Sequence, residues 1–186
     1  MIAIIADGRW GRRIVHYVRE RYPNEVVTWG VRSVALASEL LMEETRVSVS
    51  SYTEAIKAHR LIIVAMPFQD LLPWADVYAP WLNGKIVIDL SIPQTSEDRL
   101  LFGWRTSGSE ELQKKLPKSR VVGAKSAGIH RHTRIEQGVP SAIYVTSDDE
   151  EAKCQVIELF GGAGYQIVDA GTLEENRAID RMISVG

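Results

Sequence analysis

The sequence is poor in cysteine, in long apolar runs and in net charge. Its one cysteine, Cys154, excludes an internal disulfide framework and a multi-cysteine metal cluster, suits a reducing compartment, and is expected to pack. No stretch approaches the roughly 18 consecutive apolar residues of a membrane span, and the opening run Met1 to Ala6 is too short for the core of a secretory signal. No membrane association and a cytoplasmic location are therefore expected. Lys and Arg total 22 against 24 Asp and Glu, a formal charge of −2, so no global field draws the chain to nucleic acid and any basic site must be local. What is present is 45% hydrophobic and 25% charged residues over 186 positions, enough to bury a sizeable core and unlike a disordered chain. At about 100 to 200 residues per domain this predicts one domain over 1–186, with no room for a separate substrate domain of ordinary size.

Short apolar runs recur with longer amphipathic stretches between them: Ile2 to Ala6, Val26 to Trp29, Val47 to Val49, Leu61 to Ala65, Ile86 to Leu90 and Val121 to Ala124. Continuous apolar strands are the pattern of a parallel sheet covered by helices on both faces. The fold class expected is α/β: a single Rossmann-like, doubly wound, mostly parallel sheet. Ala142 to Thr146 and Gln166 to Val168 add two strands around a helix over 149–160. Ser51 with Glu54, Asp148 with Glu151 and Thr172 with Glu175 have capping-box spacing. Gly161 and Gly162 stop the penultimate helix. The stretch 94–118 is the least regular and reads as a loop with a short helix, the best lid candidate.

The most informative segment is Ile4-Ile5-Ala6-Asp7-Gly8-Arg9-Trp10-Gly11-Arg12-Arg13, a strand breaking into glycines and then a helical pattern. In a dinucleotide-binding turn, one glycine lets the backbone approach a pyrophosphate and the next lets helix pack on strand; these fall on Gly8 and Gly11, with Ala6 in place of the first glycine. Asp7 is the discordant residue, because a carboxylate beside a pyrophosphate repels it unless Arg9, Arg12 or Arg13 compensates. A strand-to-helix turn with no ligand fits the same residues. About 20 positions on, where an acidic residue would hold the ribose of NAD, the chain reads Thr28-Trp29-Gly30-Val31-Arg32-Ser33. A guanidinium and a hydroxyl there favour the 2'-phosphate of NADP. Ala65-Met66-Pro67 and Ile92-Pro93 end two further strands and line the expected crevice. His130 and His132 stand in a loop as an alternative proton donor. Their spacing makes a poor metal site and no metal is expected; no hydrolase triad or nucleophile elbow is present, and no catalytic side chain is singled out.

The residues so far resemble the deazaflavin-dependent NADP oxidoreductases (coenzyme F-420 type) and the related NADPH-binding domains of ferric reductases. The resemblance covers nearly the whole chain. Its most specific parts are Gly8-Arg9-Trp10-Gly11-Arg12, Gly84-Lys85-Ile86-Val87-Ile88-Asp89, Ser147-Asp148-Asp149-Glu150-Glu151-Ala152-Lys153 and Asp169-Ala170-Gly171-Thr172-Leu173-Glu174. It implies direct hydride exchange between NADP(H), held by the first turn and Arg32-Ser33, and a deazaflavin or flavin ring as second substrate. That small-molecule redox acceptor would rest near Met66-Pro67, Ile92-Pro93 and the substrate-side segment Lys125-Ser126-Ala127-Gly128. In such chemistry the two cofactors do the electronic work and the protein supplies distance and orientation. Related dehydrogenases add a helical domain for which these 186 residues are not expected to have room, so the acceptor is expected in this domain or at the seam of a homodimer. A non-catalytic NADP(H)-responsive module and an NADPH-dependent reductase of a small imine or carbonyl compound are the alternative readings.

Overall fold

A computed structural model of the chain describes residues 2–41, 46–130, 142–161 and 166–185. Strands and helices alternate: β1 (Ile2–Ile5), α1 (Gly8–Arg21), β2 (Val27–Val31), α2 (Val34–Leu41), β3 (Val47–Ser51), α3 (Tyr52–Ala58), β4 (Leu61–Val64), α4 (Phe68–Leu82) and β5 (Ile86–Asp89). They continue with α5 (Gly108–Lys115), β6 (Arg120–Lys125), α6 (Ala127–His130), β7 (Ala142–Ser147), α7 (Glu150–Gly161), β8 (Gln166–Asp169), a 3-10 turn (Leu173–Glu175) and α8 (Asn176–Val185). The strands form one sheet in the order β3-β2-β1-β4-β5-β6-β7-β8. All neighbours are parallel except β6 and β7, which run antiparallel with Val122 opposite Ser147.

The strand period of two divides the apolar run of β1 between two cores. Ile2 and Ile4 join Val15 of α1, Ala37 of α2 and Val156 of α7 on one face. Ala3 and Ile5 join Ile56 of α3, Leu71 of α4 and Leu112 of α5 on the other. Both sheet faces are thus covered, which is why these strands read as unbroken hydrophobic runs.

Local chemistry explains where expectation and structure part. Ser51 and Glu54 form the expected reciprocal capping box at α3. At α7 the cap is one residue later than expected: the Asp149 carboxylate accepts the Ala152 amide at 2.8 Å, because the Asp148 carboxylate is engaged by the Leu173 amide at 3.1 Å. Thr172 precedes the 3-10 turn with no side-chain cap. Cys154 is exposed, a correction to the expectation of packing. Ala152, Val156 and Phe160 are the residues α7 turns to the core, and position 154 falls outside that stripe. Gly161 belongs to α7, and Gly162 lies outside the described residues. The stretch 94–118 is tethered: Gln94 bridges Leu100, Phe102 sets its ring edge-on to Phe68 at 5.5 Å, and Ser107 caps α5 through the Glu110 amide.

Candidate functional site

The crossing from β1 outward to β2 on one side and to β4 on the other leaves a crevice at the carboxyl ends of these strands, the usual ligand position in an open α/β sheet. It measures about 830 Å³. Its lining draws on the β1–α1 turn (Asp7, Gly8, Trp10), the end of β2 (Arg32), the start of α3 (Tyr52), the β4–α4 connection with α4 (Ala65, Met66, Pro67, Phe68, Asp70, Pro73, Trp74, Val77, Tyr78) and the segment after β5 (Leu90, Ser91, Ile92).

The first turn is built by two glycines with different tasks. Gly8 has φ +63, a left-handed conformation that strains other residues, and a Cβ there would project into open space. At Gly11 a Cβ would lie 2.9 Å from the Ala6 carbonyl carbon and 3.0 Å from the Trp29 indole nitrogen, so helix and strand touch backbone to backbone. That indole N–H donates to the Ala6 carbonyl at 2.7 Å and fixes the turn from beneath. Helix α1 begins with no acidic residue in its first turn and no side-chain cap from Asp7, so no carboxylate of its own first turn offsets its positive dipole end.

Asp7 reaches instead across to β2. Its Oδ1 accepts the Arg32 amide at 2.9 Å and its Oδ2 accepts Arg32 Nε at 2.6 Å. The Tyr52 hydroxyl also donates to Oδ2. The neighbouring carboxylate strengthens the hold of Arg32 on its proton, and burial, followed by the hydrogen bond to Asp7, pushes the Tyr52 hydroxyl well above its ordinary range. Arg32 thus neutralises Asp7, and Tyr52 donates a hydrogen bond to it. Arg9, Arg12 and Arg13 border a second hollow, between α1 and the end of α2.

The strand β5 ends on a buried polar cluster. Asp89 Oδ1 accepts the amide of Ser91 at 2.8 Å and its hydroxyl at 2.6 Å, while Oδ2 accepts Ser109 Oγ and Lys125 Nζ, both at 2.7 Å. Lys125 also donates to the Ser91 carbonyl. Asp180 of α8 is buried beside this cluster, near the Gly108 backbone amide. Burial is the main reason its pKa is pushed up to about 6, with Lys125 opposing and Asp89 reinforcing the shift.

Of the expected site residues, the crevice gathers Asp7, Gly8, Trp10, Arg32, Ala65, Met66, Pro67 and Ile92. Arg9, Gly11, Ser33 and Pro93 stand beside it without lining it. Lys125 and Ser126 are buried, Ala127 is exposed and Gly128 half-buried. The side chain of His130 and all of His132 lie outside the described residues. Sequence reasoning missed Tyr52, the aromatic wall of Trp74 and Tyr78, and the carboxylate and backbone-carbonyl partners of Lys125. Only the α4 aromatics had a legible signal, since Trp74, Tyr78 and Trp81 recur at helical spacing.

A doubly wound sheet, a glycine turn opening a helix and a crevice at the strand ends define the Rossmann-type, nucleotide-binding class. Comparison with known proteins narrows this. Residues 1–93 match the family model described as NADP oxidoreductase, coenzyme F420-dependent. An F420-dependent NADP reductase of Methanocaldococcus jannaschii is 31% identical over 134 residues, 68% of this chain and 60% of that protein. Among solved structures, a candidate F420-dependent NADP-reductase of Arthrobacter sp. FB24 superposes with TM-score 0.80 at 22% identity, over 99% of this chain and 90% of that one. Plasmodium falciparum pyrroline carboxylate reductase gives TM-score 0.65 at 13% identity, over 99% of this chain and 62% of that one. The two structural likenesses are likenesses of fold. The chain belongs to the coenzyme F420-dependent NADP oxidoreductase family, and its match spans 60% of the length of the archaeal relative. No helix among the described residues is long and apolar enough to cross a membrane.

Proposed function

We propose that the chain exchanges a hydride between NADP(H) and a deazaflavin or flavin-type acceptor. The observation that carries this reading is the pairing, in a member of this family, of an uncapped α1 N-terminus with an exposed Arg32 on the rim of one crevice. The residues present suit a dinucleotide: Gly8 leaves open space where a backbone must approach a pyrophosphate, and the Asp7 carboxylate is turned away from the α1 amides. Residues Gly8 to Gly11 would hold the pyrophosphate on their amides. Arg32 with Ser33 would take the 2'-phosphate. Met66, Pro67, Ile92 and Pro93 would flank the nicotinamide end. When bound, NADP(H) supplies or receives the hydride.

The chain's own part is orientation. Lys125 and Asp89 hold the Ser91 carbonyl and amide, and so fix the crevice wall formed by Leu90 to Ile92. Ser126 lies buried behind them, leaving Ala127 and Gly128 as the segment's surface toward an acceptor. No protein acid is needed for a direct hydride exchange. Replacing His130 and His132 together by Gln should leave turnover within about tenfold, where loss of a true general acid costs roughly 10²- to 10⁴-fold.

The test is NADPH oxidation against a panel of one deazaflavin, free flavins and small imine and carbonyl compounds. Turnover with the deazaflavin or a flavin is the expected result. Turnover confined to an imine or carbonyl, abolished by the double His variant, overturns the reading in favour of a small-molecule reductase. Tight NADPH binding with no turnover on any acceptor overturns it in favour of a non-catalytic module.

A further inference from the structure

We propose that Asp7 and Tyr52 set the site's preference for a 2'-phosphorylated dinucleotide by positioning Arg32, an inference that rests on the NADP reading above. Asp7 occupies the N-cap position of α1, where a carboxylate ordinarily accepts amides of its own helix, yet it makes no such bond. Its two oxygens instead span from the end of β1 to the end of β2, one on the Arg32 amide and one on Arg32 Nε. Tyr52, from the first residue of α3, donates its hydroxyl to the second oxygen. Three strand and helix ends are thereby tied to one carboxylate.

The geometry leaves the guanidinium free at its working end. Of its five N–H groups, Asp7 engages the one on Nε, and no other residue among those described bonds the four on the Nη nitrogens, which are available to a ligand. The Arg32 side chain is 71% exposed on the crevice rim, whereas Asp7 is 25% exposed. A loose surface arginine gives up rotamer freedom when it grips a phosphate; one held at Nε has given much of it up beforehand. The Tyr52 hydroxyl stays protonated at all physiological pH, since burial and the adjacent carboxylate both oppose its ionisation, so it donates to Asp7 throughout. A bare carboxylate here would repel every dinucleotide. Paired with Arg32, its effect becomes specific to the group that meets the Nη nitrogens. NADH presents a hydroxyl there, NADPH a phosphate, so the contribution of Asp7 should appear in the ratio of the two affinities.

The experiment is titration calorimetry of NADPH and NADH with wild type, Asp7→Asn, Tyr52→Phe, Arg32→Ala and the Asp7→Asn/Arg32→Ala double variant, each checked for an unchanged melting temperature. The NADPH-over-NADH affinity ratio should fall about tenfold in Asp7→Asn and about threefold in Tyr52→Phe. It should vanish in Arg32→Ala and fall no further in the double variant, as expected for one residue acting through another. Tyr52→Phe keeps the test alive if Asp7→Asn folds poorly. A ratio that stays constant or rises in both single variants overturns the inference, as does an Asp7→Asn effect of full size in the Arg32→Ala background. Wild type with no preference for NADPH overturns the NADP reading itself; wild type with a preference that Asp7→Asn and Tyr52→Phe leave intact overturns this inference alone.

Discussion

Two ion pairs stand at the ends of neighbouring strands and have nearly the same length, 2.6 Å for Arg32 with Asp7 and 2.7 Å for Lys125 with Asp89. They differ in access to water: the Arg32 side chain is 71% exposed, while Lys125 and Asp89 are both at 0%. Water makes the first pair cheap to form and cheap to lose, worth at most about 1 kcal/mol to the fold. Its cation can therefore engage an incoming anion without disturbing the sheet. The second pair is desolvated on both sides and persists because Ser91 and Ser109 satisfy the remaining carboxylate lone pairs. Removing one partner there strands a charge in the interior. The same chemistry thus serves recognition at one strand end and scaffolding at another, and burial decides which.

The comparison breaks hardest at Lys125. Lys125→Met should cost about 3 to 5 kcal/mol in urea unfolding, because Asp89 is left charged and uncompensated. Next comes Asp180, whose pKa in the folded protein, pushed up to about 6 chiefly by burial, lies above the ordinary aspartate value of 3.8. The folded state then holds the proton more tightly than the unfolded one, so this group favours folding at low pH and its contribution is lost as pH rises from about 4 to 6. Asp180→Asn should make the protein up to about 3 kcal/mol more stable at neutral pH than wild type and flatten that window, as read by melting curves across pH. Arg32→Ala should remove about 1.5 to 3 kcal/mol from NADPH binding and leave urea stability within about 1 kcal/mol. Gly8→Val should lower stability by about 1 to 2 kcal/mol, less than Lys125→Met, for placing a side chain at φ +63, accompanied by loss of NADPH binding in calorimetry.

Much of the sheet was legible because residues covered on both faces leave unbroken apolar runs, and Gly8 and Gly11 were legible because a left-handed turn at one and close helix–strand packing at the other leave little choice of residue. Capping by Ser51 and Glu54 could be read because both partners lie within one turn. What could not be read were bonds between distant residues. Asp7 looked repulsive toward a phosphate because its partners, Arg32 and Tyr52, stand 25 and 45 positions away. Lys125, read as facing an acceptor, is turned inward to an aspartate 36 positions back. Cys154 was misplaced because α7 is only weakly amphipathic, and the stripe that faces the sheet is carried by Ala152, Val156 and Phe160.

The contrast between an exposed pair for recognition and a buried pair for folding is tested most directly by one series of thermal unfolding curves. Wild type and Arg32→Ala are melted alone, with saturating NADPH and with the same concentration of NADH. A ligand that binds the folded state raises the midpoint in proportion to its occupancy term, RT ln(1 + [L]/Kd). The expected result is a larger rise with NADPH than with NADH in wild type, an equal rise with both in Arg32→Ala, and the same midpoint for the two proteins without ligand. Equal rises in wild type, or an unliganded Arg32→Ala that melts many degrees lower, would contradict the account.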